Sequence, residues 1–214
     1  MQVKILDMDC STESNFLSYA VTKLPYIVPN MVNTPMVAAT FIHLKFLEVC
    51  LDGDLSPGYD YLSLVSFFNS SPVLETFSLS VHQSEMNSES VLDDDKHMRQ
   101  MPQRKHHSLK NVKIFGFCSA KSMVELTCHI LENATSLGCI TLDTIFDEDD
   151  EDDIGRCSVN SVRKAGECCE LSNEIILEGN KGLMVIERYI VGKVPSAVKL
   201  EVRGPCSRCH TLDL

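Results

Sequence analysis

The sequence predicts an α/β fold built from repeated units, each of which adds one strand to a parallel sheet. Two observations lead to this prediction. An apolar pattern of the form L-x-x-L-x-L recurs four times in the 214 residues. Stretches whose apolar residues have helical spacing lie between the copies. Such recurrence is typical of repeat architectures, in which a single unit cannot bury its apolar face without its neighbours.

The four copies of the pattern begin 30, 35 and 28 residues apart. Their last two apolar positions alternate with polar ones, as expected for a strand with one buried face. We therefore expect strands near 44–50, 74–80, 109–115 and 137–143, and a fifth near 198–203 from the alternation of Val198, Leu200 and Val202. The side chains predicted to be buried are Leu47, Val49, Leu74, Phe77, Leu79, Leu109, Val112, Ile114, Leu137, Ile140 and Leu142.

Four helices are predicted near 13–24, 59–70, 120–134 and 181–191 from apolar residues spaced three and four apart. Ser122 and Glu125 have the spacing of a capping box at the start of the third. Strands and helices stacked in this order give a leucine-rich-repeat solenoid, with the parallel sheet on its concave side and the helices on its convex side. A doubly wound α/β domain is the alternative, but that fold does not require L-x-x-L-x-L at each strand.

Composition excludes several classes of function. The formal net charge is −11 and no basic stripe is visible, which argues against a nucleic-acid partner. No apolar run is long enough to span a bilayer, and the N-terminal residues do not resemble a signal peptide. We therefore expect a cytoplasmic or nuclear protein that is not secreted, with its ten cysteines reduced.

The chain is expected to form one leucine-rich-repeat-like domain over 1–214 with three irregular parts. Residues 82–107 form a polar insert loop, and 204–214 form a C-terminal tail. Residues 145–160 form an acidic loop, because 147–153 are seven consecutive acids that repel one another. We expect 83–106 and 145–160 to be irregular and exposed.

One short motif carries possible chemistry. Cys206, Cys209 and His210 form a C-x-x-C-H sequence, which matches haem attachment or half of a zinc site. Haem attachment needs an exported setting, and zinc needs four ligands, for which Cys157 and the pair Cys168-Cys169 have no familiar spacing. These residues are therefore weak zinc candidates, and a loop beside the last repeat is the simpler interpretation.

No other residues suggest chemistry. His106 and His107 lie in a polar stretch and are expected to be solvated, and His129 is expected on the exposed side of its helix. No nucleophile elbow, phosphate-binding glycine loop or H-E-x-x-H motif occurs. We therefore expect no catalytic residues, no enzymatic activity and no cofactor.

Several stretches resemble the C-terminal leucine-rich-repeat region of plant, grass-type F-box/LRR-repeat proteins. An example is Leu-Lys-Asn-Val-Lys-Ile-Phe-Gly-Phe-Cys-Ser-Ala-Lys-Ser at 109–122, and the others are 43–51, 67–77, 125–137, 188–196 and 204–210. The resemblance implies the substrate-binding part of an SCF-type ubiquitin ligase. No F-box is expected here, because Val3-x-Ile5 already has the pattern of a repeat strand. Binding to the SCF adaptor is therefore not expected.

Three hypotheses about function follow from the sequence. The first is a non-catalytic protein-interaction module whose repeats hold another protein. The second is a small zinc-binding or thiol-redox protein that uses the cysteine-rich region 157–210. The third is a truncated fragment without a function of its own, since a solenoid without its caps folds poorly.

Overall fold

The computed structural model describes residues 2–6, 20–22, 41–51, 59–81, 90–92, 98–99, 101–146 and 171–207. Its described strands form one sheet of seven strands in the order β2-β1-β3-β4-β5-β6-β7. The strands are β1 (Gln2–Leu6), β2 (Ala20–Thr22), β3 (Phe46–Leu51), β4 (Thr76–Val81), β5 (Asn111–Phe115), β6 (Cys139–Asp143) and β7 (Lys199–Arg203). The five strands β3 to β7 are parallel and lie side by side in sequence order, as predicted from the repeated pattern.

The N-terminal end of the sheet differs from the prediction. β1 does contain Val3 and Ile5, but it runs antiparallel to β3 and does not extend the parallel series. The predicted helix 13–24 is wrong at Ala20–Thr22, which form β2 and pair antiparallel with β1. The rest of 13–24 lies outside the described residues. The apolar residues of 20–24 are too few to distinguish a strand from a helix, and Ala20–Thr22 form a strand by pairing with β1.

Three helices accompany the parallel strands. A 3₁₀ turn (Tyr61–Leu64) leads into α1 (Val65–Ser70), and α2 spans Lys121–Asn133, both close to the predicted bounds. The helix α3 (Asn173–Val185) begins earlier than predicted and continues as a π-helical turn (Ile186–Ile190) and a 3₁₀ turn (Val191–Lys193). Its first turn is fixed by the side chain of Ser172, which accepts a hydrogen bond from the amide of Ile175.

The hydrophobic core lies between one face of the sheet and the three helices. All eleven side chains predicted to be buried are buried there. Neighbouring strands place them in rows, because Phe77, Val112 and Ile140 occupy the same register position, as do Leu79, Ile114 and Leu142. Residues at every second position therefore form one continuous apolar layer, which is the burial expected from the L-x-x-L-x-L pattern.

The start of each parallel strand is joined to the previous one through shared carbonyl oxygens. The carbonyl of Lys45 accepts hydrogen bonds from the amides of Glu75 and Thr76, and the carbonyl of Glu75 accepts from Lys110 and Asn111. The same arrangement continues from Lys110 to residues 138 and 139. We call this row of bonds the entry ladder. It satisfies the backbone groups just before each strand without using side chains.

The described residues of the insert between β4 and β5 are less exposed than predicted. Residues 102–105 are exposed, but Val91 and His106 are buried, and Met98 and Met101 pack against the core. The acidic region also begins inside, since Ile145 is buried, while 147–160 lie outside the described residues. Because 82–107 is mainly polar in composition, the prediction overlooked its few apolar side chains, which pack against the core on the helix side of the sheet.

Candidate functional site

The face of the sheet opposite the described helices is here called the open face. It alternates with the buried rows along β3 to β7. Its side chains are Phe46, Glu48, Cys50, Thr76, Ser78, Ser80, Asn111, Lys113, Phe115, Cys139, Thr141, Asp143, Lys199, Glu201 and Arg203.

The middle row of the open face alternates acids, hydroxyls and a base. Glu48, Ser78, Lys113, Thr141 and Glu201 occupy one register position across the five strands. Ser78 and Thr141 are short and buried, whereas Lys113 is exposed. Lys113 has no ion-pair partner among the described residues. Its ammonium group is therefore available to an incoming carboxylate.

The two ends of the open face differ in how their charges are used. At β7, the ammonium group of Lys199 lies 2.5 Å from a carboxylate oxygen of Glu201, and Arg203 lies 3.8 Å from the other oxygen. Lys199, and to a smaller extent Arg203, lowers the pKa of Glu201. Glu48 on β3 is half-buried and stands opposite Lys4 of β1 in the strand register. The charges at β7 thus contact one another, whereas Lys113 on β5 has no ion-pair partner among the described residues.

A row of exposed charges borders the open face where the strands begin. The carboxylate of Glu75 lies 2.6 Å from the ammonium nitrogen of Lys110 and 3.8 Å from that of Lys45. The hydrogen bond from Lys110 holds the pKa of Glu75 below its ordinary value. These exposed pairs contribute little to stability, but they set the charge pattern that a partner meets at this border.

The structure corrects two of the histidine predictions. His106 and His129 are buried, at 9% and 5% exposure, on the helix side of the sheet. Their rings lie 5.9 Å apart between centroids, and His106 also packs against Phe68. Desolvation by burial lowers the pKa of His106 to about 4, helped by the nearby His129, and burial also lowers the pKa of His129. His107 is exposed as predicted and contacts the hydroxyl of Thr135 at 2.9 Å.

Sequence reasoning missed an ion cluster around one buried carboxylate on the helix side. The guanidinium of Arg99 lies 2.6 Å from Glu125 on α2 and 2.7 Å from Asp60 before the first helical turn. The side chain of Glu125 is fully buried and also accepts from the amide of Arg99. It therefore does not form the capping box predicted with Ser122, whose hydroxyl instead donates to the carbonyl of Tyr59. The cluster fixes the insert on the helices and has no access to the open face.

The cysteines do not form a reactive site within the described part of the chain. Cys118 and Cys128 are buried thiols, and desolvation raises the pKa of Cys118 to about 12, so that its thiol stays protonated. Cys206 is half-buried, while Cys209 and His210 lie outside the described residues. The zinc interpretation of C-x-x-C-H therefore stays a prediction. Within the described ranges, no group of three or more His, Cys, Asp or Glu side chains is placed to hold a metal ion.

A comparison with known families identifies the repeats. The family model described as the LRR domain of At1g61320/AtMIF1 matches residues 1–207. The chain belongs to this family. It is therefore a leucine-rich-repeat domain of the plant type, as the resemblance to plant repeat regions predicted. No curated protein and no solved structure matches the chain significantly.

Membership in the family indicates the general role of such a domain. Leucine-rich-repeat domains are generally non-catalytic modules that bind other proteins. The acids, hydroxyls and lysine of the open face are suited to such binding. None of the helices within the described ranges is long and apolar enough to cross a membrane.

Proposed function

We propose that this domain is a protein-interaction module that holds a partner protein on its open face. The observation that carries the proposal is the register of β3 to β7, which places fifteen side chains from five strands on one face, with none of the described helices over them. We further propose that the whole chain is one domain that curves as a solenoid, with the open face concave and the helices convex.

The chemistry of the open face suggests which partner surface fits. Lys113 stands at its centre between two buried hydroxyls, and Glu48 lies two strands away in the same row. We propose a partner segment that offers a carboxylate to Lys113, which has no ion-pair partner among the described residues. Such complementary pairs set orientation and specificity more than total affinity.

The resemblance to F-box/LRR-repeat regions supports a narrower proposal. The partner would be a substrate of an SCF-type ubiquitin ligase, held by the repeats in the cytoplasm or nucleus. Binding of the SCF adaptor is not part of this proposal, because adaptor contacts belong to an F-box and not to a repeat sheet.

The proposal is tested by reversing the charge at the centre of the open face. The experiment compares wild-type protein, Lys113→Glu and a control, Lys121→Glu, as bait in plant extract, with captured proteins quantified by mass spectrometry. Lys121 is the first residue of α2 on the helix side, so the control makes the same change away from the open face. We expect proteins captured by the wild type to be lost with Lys113→Glu and kept with Lys121→Glu.

A photo-crosslinking amino acid at the same two positions provides the direct readout. Crosslinks to the captured proteins from position 113 but not from position 121 would support binding on the open face. Equal crosslinking from both positions, or capture that ignores Lys113→Glu, would overturn the assignment of the open face as the binding surface.

A further inference from the structure

The helix layer carries a second surface, unrelated to the open face, on the outer side of α3 and its continuing turns. Leu177, Met184 and Val191 are 48%, 62% and 40% exposed and are spaced by seven residues. Leu177 and Met184 are two α-helical turns apart and therefore lie on one side of α3, whereas Val191 follows the wider π-helical turn and is displaced partly around the helix axis. The exposed side continues through the π-helical turn, where Glu187 and Arg188 are also exposed. We call this line of three apolar side chains the α3 stripe.

The α3 stripe is unusual within the described part of the molecule. Only Ile42 and Val202 are comparably exposed large apolar side chains there, and they lie on other elements. The stripe spans about 21 Å of helix at 1.5 Å per residue. A row of apolar groups of this length on one helix is typical of a surface that packs against another helix.

The charges beside the stripe indicate which helix fits. We propose that the α3 stripe binds the α3 stripe of a second copy of this chain, as an antiparallel pair with Met184 on the two-fold axis. In this arrangement Leu177 of one copy faces Val191 of the second copy, and Met184 faces Met184. Lys181 then faces Glu187 of the second copy, and the contact occurs twice because the two-fold axis repeats it.

The side chains that flank the stripe are available for this pairing. Lys181 is 42% exposed, and its contact within the chain is a 3.5 Å ion pair with Glu178, one helical turn away. Glu187 is exposed and has no ion-pair partner among the described residues. A pair in which each copy offers one base and one acid at matching positions is self-complementary, as a two-fold interface requires. An unrelated partner would need the same charge pattern by coincidence.

The stripe lies on the opposite side of the sheet from the open face, so this inference does not depend on the proposed function. The buried side of the helix, including Val185, Ile186 and Ile190, belongs to the same core that the sheet covers. Dimerisation through α3 would leave both open faces unobstructed and would give the assembly two binding surfaces. A bivalent module binds a multivalent partner more tightly than a single copy does.

The test measures the mass of the full chain by light scattering after size-exclusion chromatography, over a concentration series with reductant present. We expect the wild type to dimerise and Met184→Glu to weaken dimerisation about tenfold or more, since it places two like charges on the axis. Ile42→Glu is the matched control, because Ile42 is 55% exposed but lies outside the stripe, and it should dimerise like the wild type. A wild-type monomer at all concentrations would overturn the proposal.

Charge exchange identifies the partner surface. Lys181→Glu and Glu187→Lys should each weaken the dimer, and the double variant Lys181→Glu/Glu187→Lys should restore it, because the contacts between copies are then reversed in sign but complete. The pair of residue 181 with Glu178 within the chain is not restored in the double variant. Rescue therefore reports the contact between copies. A double variant as weak as the single ones, or single variants that dimerise normally, would overturn the antiparallel register.

Discussion

The strands β6 and β7 carry the same apolar pattern but bury it to different extents. Leu142 on β6 is fully buried, whereas Val202, its register partner on β7, is 41% exposed. Ile140 and Leu200 show the same contrast, since Leu200 is only half-buried. β6 has neighbours on both sides, while β7 has only β6 among the described strands. The pattern thus specifies a strand, and the next repeat decides how much stability its apolar side chains contribute.

The largest expected effect separates these two register partners directly. Leu142→Ala removes a fully buried side chain from a packed layer and should lower the free energy of unfolding by about 3 kcal/mol. Val202→Ala should lower it by about 0.5 kcal/mol or less, as is usual for partly exposed positions. Chemical denaturation of both variants measures the difference. Equal losses would show that the sheet is as well packed at its end as in its middle.

Removing an ion pair should also destabilise the protein more in the middle of the molecule than at β7, with a smaller loss of unfolding free energy than Leu142→Ala. Arg99→Ala leaves the fully buried carboxylate of Glu125 without its guanidinium and should cost about 2 kcal/mol. Lys199→Ala removes an exposed partner of Glu201 at β7 and should leave the denaturation midpoint unchanged. Arg104→Ala, in the same insert and also exposed but not in contact with Glu125, controls for loss of an arginine there. An Arg99→Ala midpoint equal to that of Arg104→Ala would contradict the ion cluster around Glu125.

The smallest expected effect is the dependence of stability on pH that arises from the buried His106, which lies in the middle of the molecule. The folded state lowers the pKa of His106 from 6.5 to about 4, so the unfolded chain binds more protons between these values. The stability contributed by keeping His106 neutral should be fully present above pH 6.5 and should fall as the pH drops toward 4. Between pH 6.5 and 5, before most carboxylates titrate, the loss should be on the order of 1 kcal/mol.

Thermal melts across that pH range test this effect with two variants. His106→Gln should make the pH dependence shallower, because one of the two buried histidines with a lowered pKa is gone and His129 remains. His43→Gln should retain the wild-type dependence, since His43 is exposed. A wild-type profile that is flat from pH 6.5 to 5 would contradict the burial of His106.

The parallel part of the fold could be predicted because each of its strands repeats one local pattern. Alternation predicted the apolar face of β3 to β6 that packs against the helices, and α1 and α2 have clean helical spacing. The antiparallel pairing of β1 and β2 could not be predicted in this way, since direction depends on contacts between distant segments. The early start of α3 was also missed, because its first turns contain glutamates and an asparagine beside the apolar residues.

The buried polar groups were missed for a different physical reason. Arg99 and Glu125 are 26 residues apart, and nothing in the sequence indicates that an arginine of the irregular insert will pair with the buried Glu125 of α2. His129 lies four residues before Asn133 on α2, and both are buried by the insert that packs over them rather than by the helix pattern. The open face was implied by alternation alone, but its charge pattern required the register between strands.

The entry ladder has a consequence for how such a chain can change over time. Each strand is aligned to the previous one by main-chain bonds from the carbonyls of Lys45, Glu75 and Lys110, whatever side chains stand there. Alignment is thereby independent of the length of the repeat, since the copies of the pattern begin 28 to 35 residues apart. Connections can gain or lose residues, as the long insert before β5 illustrates, while the spacing of groups on the sheet stays constant. Mutation can therefore explore new loops and new surface chemistry separately.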